Sequence, residues 1–498
     1  MSDAGVGGHR VDDGAPTDWA PGLERAFDIS VVEGTQTPTP EGTIPEWLRG
    51  TYYLNGPSHF PRVDGVHAYR HWLDGDGAVS RLRFDGPQVQ FTHRFVDSRK
   101  RRDEREAGRL LYRGFGTSFP DDRLKRGIGL ESPVNVSAFR FGEQLLAFGE
   151  QGLPYALDPV TLETRGEYDF GGRLNAISPL SAHPGFDRAG GELFNFGISF
   201  SARQPSLTLY RFSSDELIYR RRHPLPYPCS THDFMLSERY AIFYLSPHVL
   251  DVGAMMKDGE SVNGALRWRP KLGARLMVFE RSDGALKADI ELGAGGGPGD
   301  REWSGYCLHL INAFESGKGL TVDVVELERP VYDQYEPVPD LFADAPGGGP
   351  RRFEVDLDAG AVVSKRAVRY ERCPDFPAIA PRDAERSYDQ FWLLGITATG
   401  QLGRKFFDQL AHLRWSTPET HDTWTAPTGA YLGGEPVFLP HPSESDRGLI
   451  LCQLFDAPSR ASSFLLFHAD RVSKGPVARI PLDHPMPLGF HAVYYPDP

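Results

Sequence analysis

Cysteine is scarce in this chain, which has four in 498 residues: Cys229, Cys307, Cys373 and Cys452. They lie far apart and match no Cys-x-x-Cys spacing. That excludes a cysteine-built zinc or redox site and argues against a disulfide frame, so reduced thiols in a cytoplasmic protein are expected. Positive charge is short as well. With 54 Lys and Arg against 67 Asp and Glu the formal net charge is −13. A surface of that sign does not neutralise phosphates, so nucleic acid is not an expected partner. No run approaches the roughly 18 to 20 apolar residues of a membrane-spanning helix, which leaves only peripheral membrane contact. Nor does the start of the chain carry the apolar run of a signal peptide. Rich in Gly, Asp and Ala, residues 1–21 read as a disordered tail before a single domain, 22–498. Sustained helical periodicity is missing too, and residues 403–413 are the one short candidate helix.

What is present is material for a large core, with 40% hydrophobic and 12% aromatic residues. From Gly50 onward short β-type runs alternate with Gly, Pro, Asp and Asn. Examples are Thr51-Tyr52-Tyr53-Leu54, Leu145-Leu146-Ala147-Phe148, Leu193-Phe194-Asn195-Phe196, Tyr240-Ala241-Ile242-Phe243-Tyr244 and Ser463-Phe464-Leu465-Leu466-Phe467. Runs of this kind bounded by turn formers predict an all-β, antiparallel fold. The 54 Gly and 41 Pro are spread over the whole chain without a distinct linker. One β-propeller therefore fits better than several domains. Seven blades would average about 71 residues, well above the roughly 40 to 45 of a compact propeller repeat. The surplus is expected in loops that cap one face.

Four of the 16 histidines stand in comparably apolar or strand-flanking settings. They are His183 in Ser181-Ala182-His183-Pro184, His232 in Thr231-His232-Asp233-Phe234, His309 in Cys307-Leu308-His309-Leu310, and His491 in Gly489-Phe490-His491-Ala492. The others, among them His71, His93, His248 and His412, lie in polar or Pro-flanked contexts. None of the separations among the four is a local metal spacing, so a shared site requires a fold that brings distant strands to one axis. A propeller does so.

These segments resemble the carotenoid cleavage oxygenases, a non-haem iron family. The likeness runs from Gly50-Thr51-Tyr52-Tyr53-Leu54-Asn55-Gly56-Pro57 through His71-Trp72-Leu73-Asp74-Gly75 and Phe148-Gly149-Glu150-Gln151-Gly152 to Gly434-Glu435-Pro436 and the last histidine. The resemblance implies a seven-bladed propeller with a helical and loop cap over the active-site face. It implies Fe(II) on the axis, held by His183, His232, His309 and His491. In the family three glutamates orient ligating rings. Glu150 and Glu435 match two of them, and Asp375 in Cys373-Pro374-Asp375-Phe376 replaces the third. The aspartate is one methylene shorter, so either the backbone moves in or a water bridges, and restoring glutamate there is expected to be tolerated.

Further departures bear on substrate. Stilbene-cleaving members carry a lysine just before the first glutamate and a tyrosine in an early strand; Gly149 and Phe95 stand at those places here. Val134 is expected where the family has a threonine beside the metal. Leu250, Met255 and Met256 are expected to form a peripheral membrane contact, with core packing as the competing reading. The expected activity is an Fe(II)-dependent dioxygenase that cleaves one alkene bond of a lipophilic carotenoid or apocarotenoid with O2, giving two carbonyl products. A stilbene- or phenylpropene-cleaving dioxygenase is the alternative, and a metal-free binding propeller is the non-enzymatic one.

Overall fold

A computed structural model describes residues 17–497 except 64, 126, 128, 188–190, 202, 215, 293–304, 318, 332–336, 445 and 446. Seven antiparallel sheets of four or five strands make up the body. The predicted β-runs all fall inside strands, for example Tyr240–Leu245, Glu192–Ser199 and Ala461–His468. In the middle strands both faces are covered by neighbouring blades, so Tyr240–Leu245 is buried at every position. That explains near-continuous apolar runs in place of strict alternation. The first strands of successive blades touch one another in a ring, from Gly185–Phe186 through Met235–Leu236, Tyr306–Ser316, Asp375–Ala378 and Ala430–Pro440 to Ala492–Pro496. The seven-bladed propeller is as expected.

Both ends of the chain close the ring. The terminal strand Ala492–Pro496 pairs with Arg49–His59, in the register Leu54↔Ala492 and Tyr52↔Tyr494. Glu41–Gly42 adds an edge strand to the last blade against Ala478–Pro481. Closure of this kind ties down a terminus that would otherwise fray. Residues 1–16 of the expected tail lie outside the described residues. Within residues 17–21, Ala20 is buried and the Trp19 indole donates to the Leu402 carbonyl, while the other side chains are exposed.

Helix is sparse. Arg99–Ala107 is capped by the Ser98 side chain and ended by Gly108 in the left-handed region. The short helices Val252–Lys257 and Val262–Ala265 follow the second histidine. The candidate helix at residues 403–413 does not form. Gln409–Arg414 is a strand between Gln390–Gly395 and Asp422–Thr425, because its backbone groups are satisfied by two neighbours and it is buried on both faces. The proposed membrane patch divides. Leu250 and Met255 are 3% and 1% exposed and pack with Ala254, Val262, Ala265 and Leu266, while Met256 is 52% exposed. Core packing therefore accounts for two of the three. No helix among the described residues is long and apolar enough to cross a membrane.

Candidate metal centre

The four imidazoles picked out in the sequence meet at one point. One ring nitrogen from each of His183, His232, His309 and His491 lies within 4.8 Å of the others. Each residue stands at or just before the innermost strand of its blade, where the backbone is fixed by side chains that are themselves buried. Asn195 exchanges hydrogen bonds with the main chain of Ser181, and the Ser181 hydroxyl accepts from the His183 N–H and donates to the His232 carbonyl. Two register shifts around Leu310 turn His309 out of the regular ladder, as bulges do where a side chain must be re-aimed. The His491 N–H donates to the Val136 carbonyl, and Asn55 N–H donates back to the His491 carbonyl.

Carboxylates face the other ring nitrogens. Glu150 Oε1 lies 2.8 Å from His232 Nδ1, Asp375 Oδ1 2.5 Å from His309 Nδ1, and Glu435 Oε2 3.3 Å from His491 Nδ1. A carboxylate on Nδ1 favours the tautomer with its proton there and turns the Nε2 lone pair the other way. His232 Nε2 and His309 Nε2 accordingly approach to 3.2 Å, and His183 Nε2 is buried without a hydrogen-bond partner. Burial holds the pKa of His183 well below the usual imidazole value, and the other three rings push the same way. Burial also lowers His491, against the pull of Glu435. Burial would lower His309 too, but Asp375 outweighs it and lifts that pKa to about 9. Four buried imidazoles with an orphaned nitrogen among them are a donor set suited to a divalent transition metal.

The shorter side chain at Asp375 reaches His309 directly, from a bulged strand. Asp375 pairs with Leu394 but Ala378 with Trp392, a bulge that leaves an extra residue on the inner strand. Cys373 and Phe376 on either side have φ of 46° and 53°, left-handed values unusual for non-glycine residues. The Phe376 N–H donates to the same Oδ1 at 2.8 Å. No water bridge is needed.

Apolar side chains close the space beside the rings, among them Trp72, Val136, Phe376, Phe407 and Phe490. Trp72 and Phe490 are 4.4 Å apart, and the Trp72 indole donates to the Leu488 carbonyl. The valine on this wall is Val136. Val134, expected there, is fully buried with Tyr53, Val79 and Ala138. Phe95 does not line the space either, since the Arg101 guanidinium sits 4.1 Å over its ring. A larger cavity of about 310 Å3 lies beside Glu150, lined by Leu130, Phe196, Phe200 and Leu266 together with Ser132, Lys125 and Glu131. At Gly149 a Cβ would stand 2.1 Å from Ser132 Oγ and 3.1 Å from Val134 N, so a larger side chain at that position requires Ser132 and its loop to shift. One residue with a place in the site was not singled out in the sequence. Asp233, whose only signal is its position next to His232, puts Oδ1 3.5 Å from His183 Nδ1.

The family model for the retinal pigment epithelial membrane protein matches residues 30–496. Apocarotenoid-15,15'-oxygenase of Synechocystis sp. is 28% identical over 96% of each chain. Isoeugenol monooxygenase of Pseudomonas putida is 26% identical, covering 91% of this chain and 93% of its own. The crystal structure of cobalt-substituted Synechocystis apocarotenoid oxygenase superposes with a TM-score of 0.83 at 25% identity, over 97% of this chain and all of that one. With the family model covering nearly the whole propeller, the chain belongs to the retinal pigment epithelial membrane protein family of carotenoid cleavage oxygenases, whose members cleave double bonds with O2.

Proposed function

We propose that this chain is an iron(II)-dependent dioxygenase that cleaves one alkene bond of a carotenoid or apocarotenoid to two carbonyl products. His183, His232, His309 and His491 would hold the metal, with Glu150, Asp375 and Glu435 orienting three of the rings. The observation that carries this reading is the convergence of four imidazoles beside an apolar wall. When bound, divalent iron supplies a Lewis-acidic centre at which O2 is activated next to the alkene. The protein's own contribution is to present four buried imidazoles, to fix the rotation of three of them through Nδ1, and to keep water out with Trp72, Phe376 and Phe490. Among the described residues on that wall, the titratable groups are the three histidines and Asp375. An extended polyene gains roughly 25 cal/mol for each Å2 of apolar surface it removes from water there. The buried free thiols support a cytoplasmic location. A peripheral lipid contact would rest on the exposed Met256, the one residue of the Leu250, Met255 and Met256 patch left at the surface.

One observation favours a second reading, cleavage of a stilbene or phenylpropene. The larger cavity carries Lys125, 3.3 Å from Glu131, and the Ser132 hydroxyl; these groups suit an oxygenated, shorter alkene. Lys100, also on that cavity, is already committed to Asp76 at 3.0 Å and Glu104 at 2.8 Å. Side-by-side kinetics of iron-loaded protein with apocarotenals, hydroxystilbenes and isoeugenol decides between them. The first reading expects the highest kcat/KM on an apocarotenoid, and a higher value on any phenolic substrate overturns it.

A further inference from the structure

The geometry points to Asp233 as a positioning residue of the metal centre, a fourth carboxylate that orients His183 and fastens the segments carrying His232 and His309 to each other. This rests on the metal-binding reading above. Three contacts carry it. Asp233 Oδ1 lies 3.5 Å from His183 Nδ1, the only nitrogen of that ring left to orient once Nε2 faces the other imidazoles. Asp233 Oδ2 accepts the N–H of Leu310, the residue after His309, at 2.9 Å. Asp233 itself follows His232 in the chain, and its Oδ1 also accepts the Phe234 N–H at 2.8 Å. One buried side chain thus spans three blades at the places where three of the four rings originate. Each of the other rings has its own carboxylate, and with Asp233 all four are matched one to one.

The 3.5 Å separation is longer than the other three contacts, which sets the expected size of the effect. Loss of a group that orients a ligating histidine weakens metal binding by about 10- to 100-fold, and the lower end of that range is expected here. Asp233→Asn keeps the shape and an oxygen for the Leu310 N–H but loses the charge facing His183.

The test measures cobalt(II) affinity by chelator competition, the visible spectrum of the cobalt-loaded protein, and the thermal stability of metal-free protein. These are compared for the parent, Asp233→Asn, His183→Ala and the double variant. About tenfold weaker cobalt binding and an altered spectrum are expected for Asp233→Asn, with the metal-free melt near the parent's. In the His183→Ala background the same substitution should have little further effect, because the ring through which Asp233 acts is gone. Parent-like affinity and spectrum in Asp233→Asn overturn the proposal and leave the metal centre standing. Equal losses with and without His183 also overturn it, since they mark a merely structural role. Failure of the parent to bind any divalent metal overturns the metal-binding reading together with this inference.

Discussion

At Asp375 the contact geometry leads to a different prediction from the one made on sequence. An aspartate in place of the family's glutamate suggests that glutamate would be tolerated. The carboxylate already lies 2.5 Å from His309 Nδ1, and one more methylene would carry it about 1.5 Å further. Asp375 sits in a bulge flanked by two left-handed residues, Cys373 and Phe376, so the added length is expected to push His309 or reshape the bulge. Overpacking of a tight site costs about 1 to 3 kcal/mol. Asp375→Asn keeps the shape but gives up the charge, and the gap between charged and neutral hydrogen bonds is roughly 1 to 1.5 kcal/mol, or about tenfold in metal affinity. Asp375→Ala leaves a buried N–H without its acceptor, about 1 to 3 kcal/mol, consistent with a 10- to 100-fold loss of metal affinity. The expected order of affinity is parent above Asp375→Asn, with Asp375→Ala and Asp375→Glu lower still. Chelator competition at fixed pH measures it, alongside melts of the metal-free proteins. If Asp375→Glu binds metal as tightly as the parent, the bulge is not what sets the contact and the reasoning fails.

Other consequences can be checked separately. Gly149→Ala should destabilise by about 1 to 3 kcal/mol, because its Cβ meets Ser132 Oγ and the Val134 backbone. Adding Ser132→Gly should recover part of the loss in urea denaturation, and a parent-like Gly149→Ala would show that the loop yields freely. Arg352 and Asp323 form a buried bidentate pair at 2.8 and 2.7 Å, so Asp323→Ala, by stranding the guanidinium, should cost about 3 to 5 kcal/mol. A shift in denaturation midpoint equivalent to less than 1 kcal/mol would contradict that. Burial lowers the pKa of His93 to about 4, against about 6.5 in the unfolded chain. The unfolded state then binds more protons between these values, so this stability is present above pH 6.5 and lost as pH falls from 6.5 toward 4. Between pH 7.5 and 5.5 the loss is roughly 1.3 kcal/mol. A His93→Gln variant should show a flatter decline over that range, and an unchanged slope would refute the assignment.

Much of this protein was legible in one dimension. Short apolar runs between turn formers were enough for an antiparallel β fold, because each strand carries its own β propensity and its own boundaries. The four histidines and Glu150, Asp375 and Glu435 stood out through the motifs around them. The candidate helix at residues 403–413 failed because a short buried run does not reveal whether its hydrogen bonds close within the segment or across two neighbours. Val136 takes the place expected of Val134 where the backbone at Val134 is left-handed, at φ 55°, and Phe95 is covered by Arg101 instead of lining the cavity; neither shows in the sequence. Leu250 and Met255 read as a membrane face or as core equally well until the chain that covers them was in place. Asp233 carried no signal of its own, since its role arises from contacts with His183 and Leu310, 50 and 77 residues away. Residue chemistry and local pattern are properties of the sequence. Which groups meet across blades, and at what distance, is settled by closure of the propeller, because only the closed ring brings seven separate strand starts to one axis.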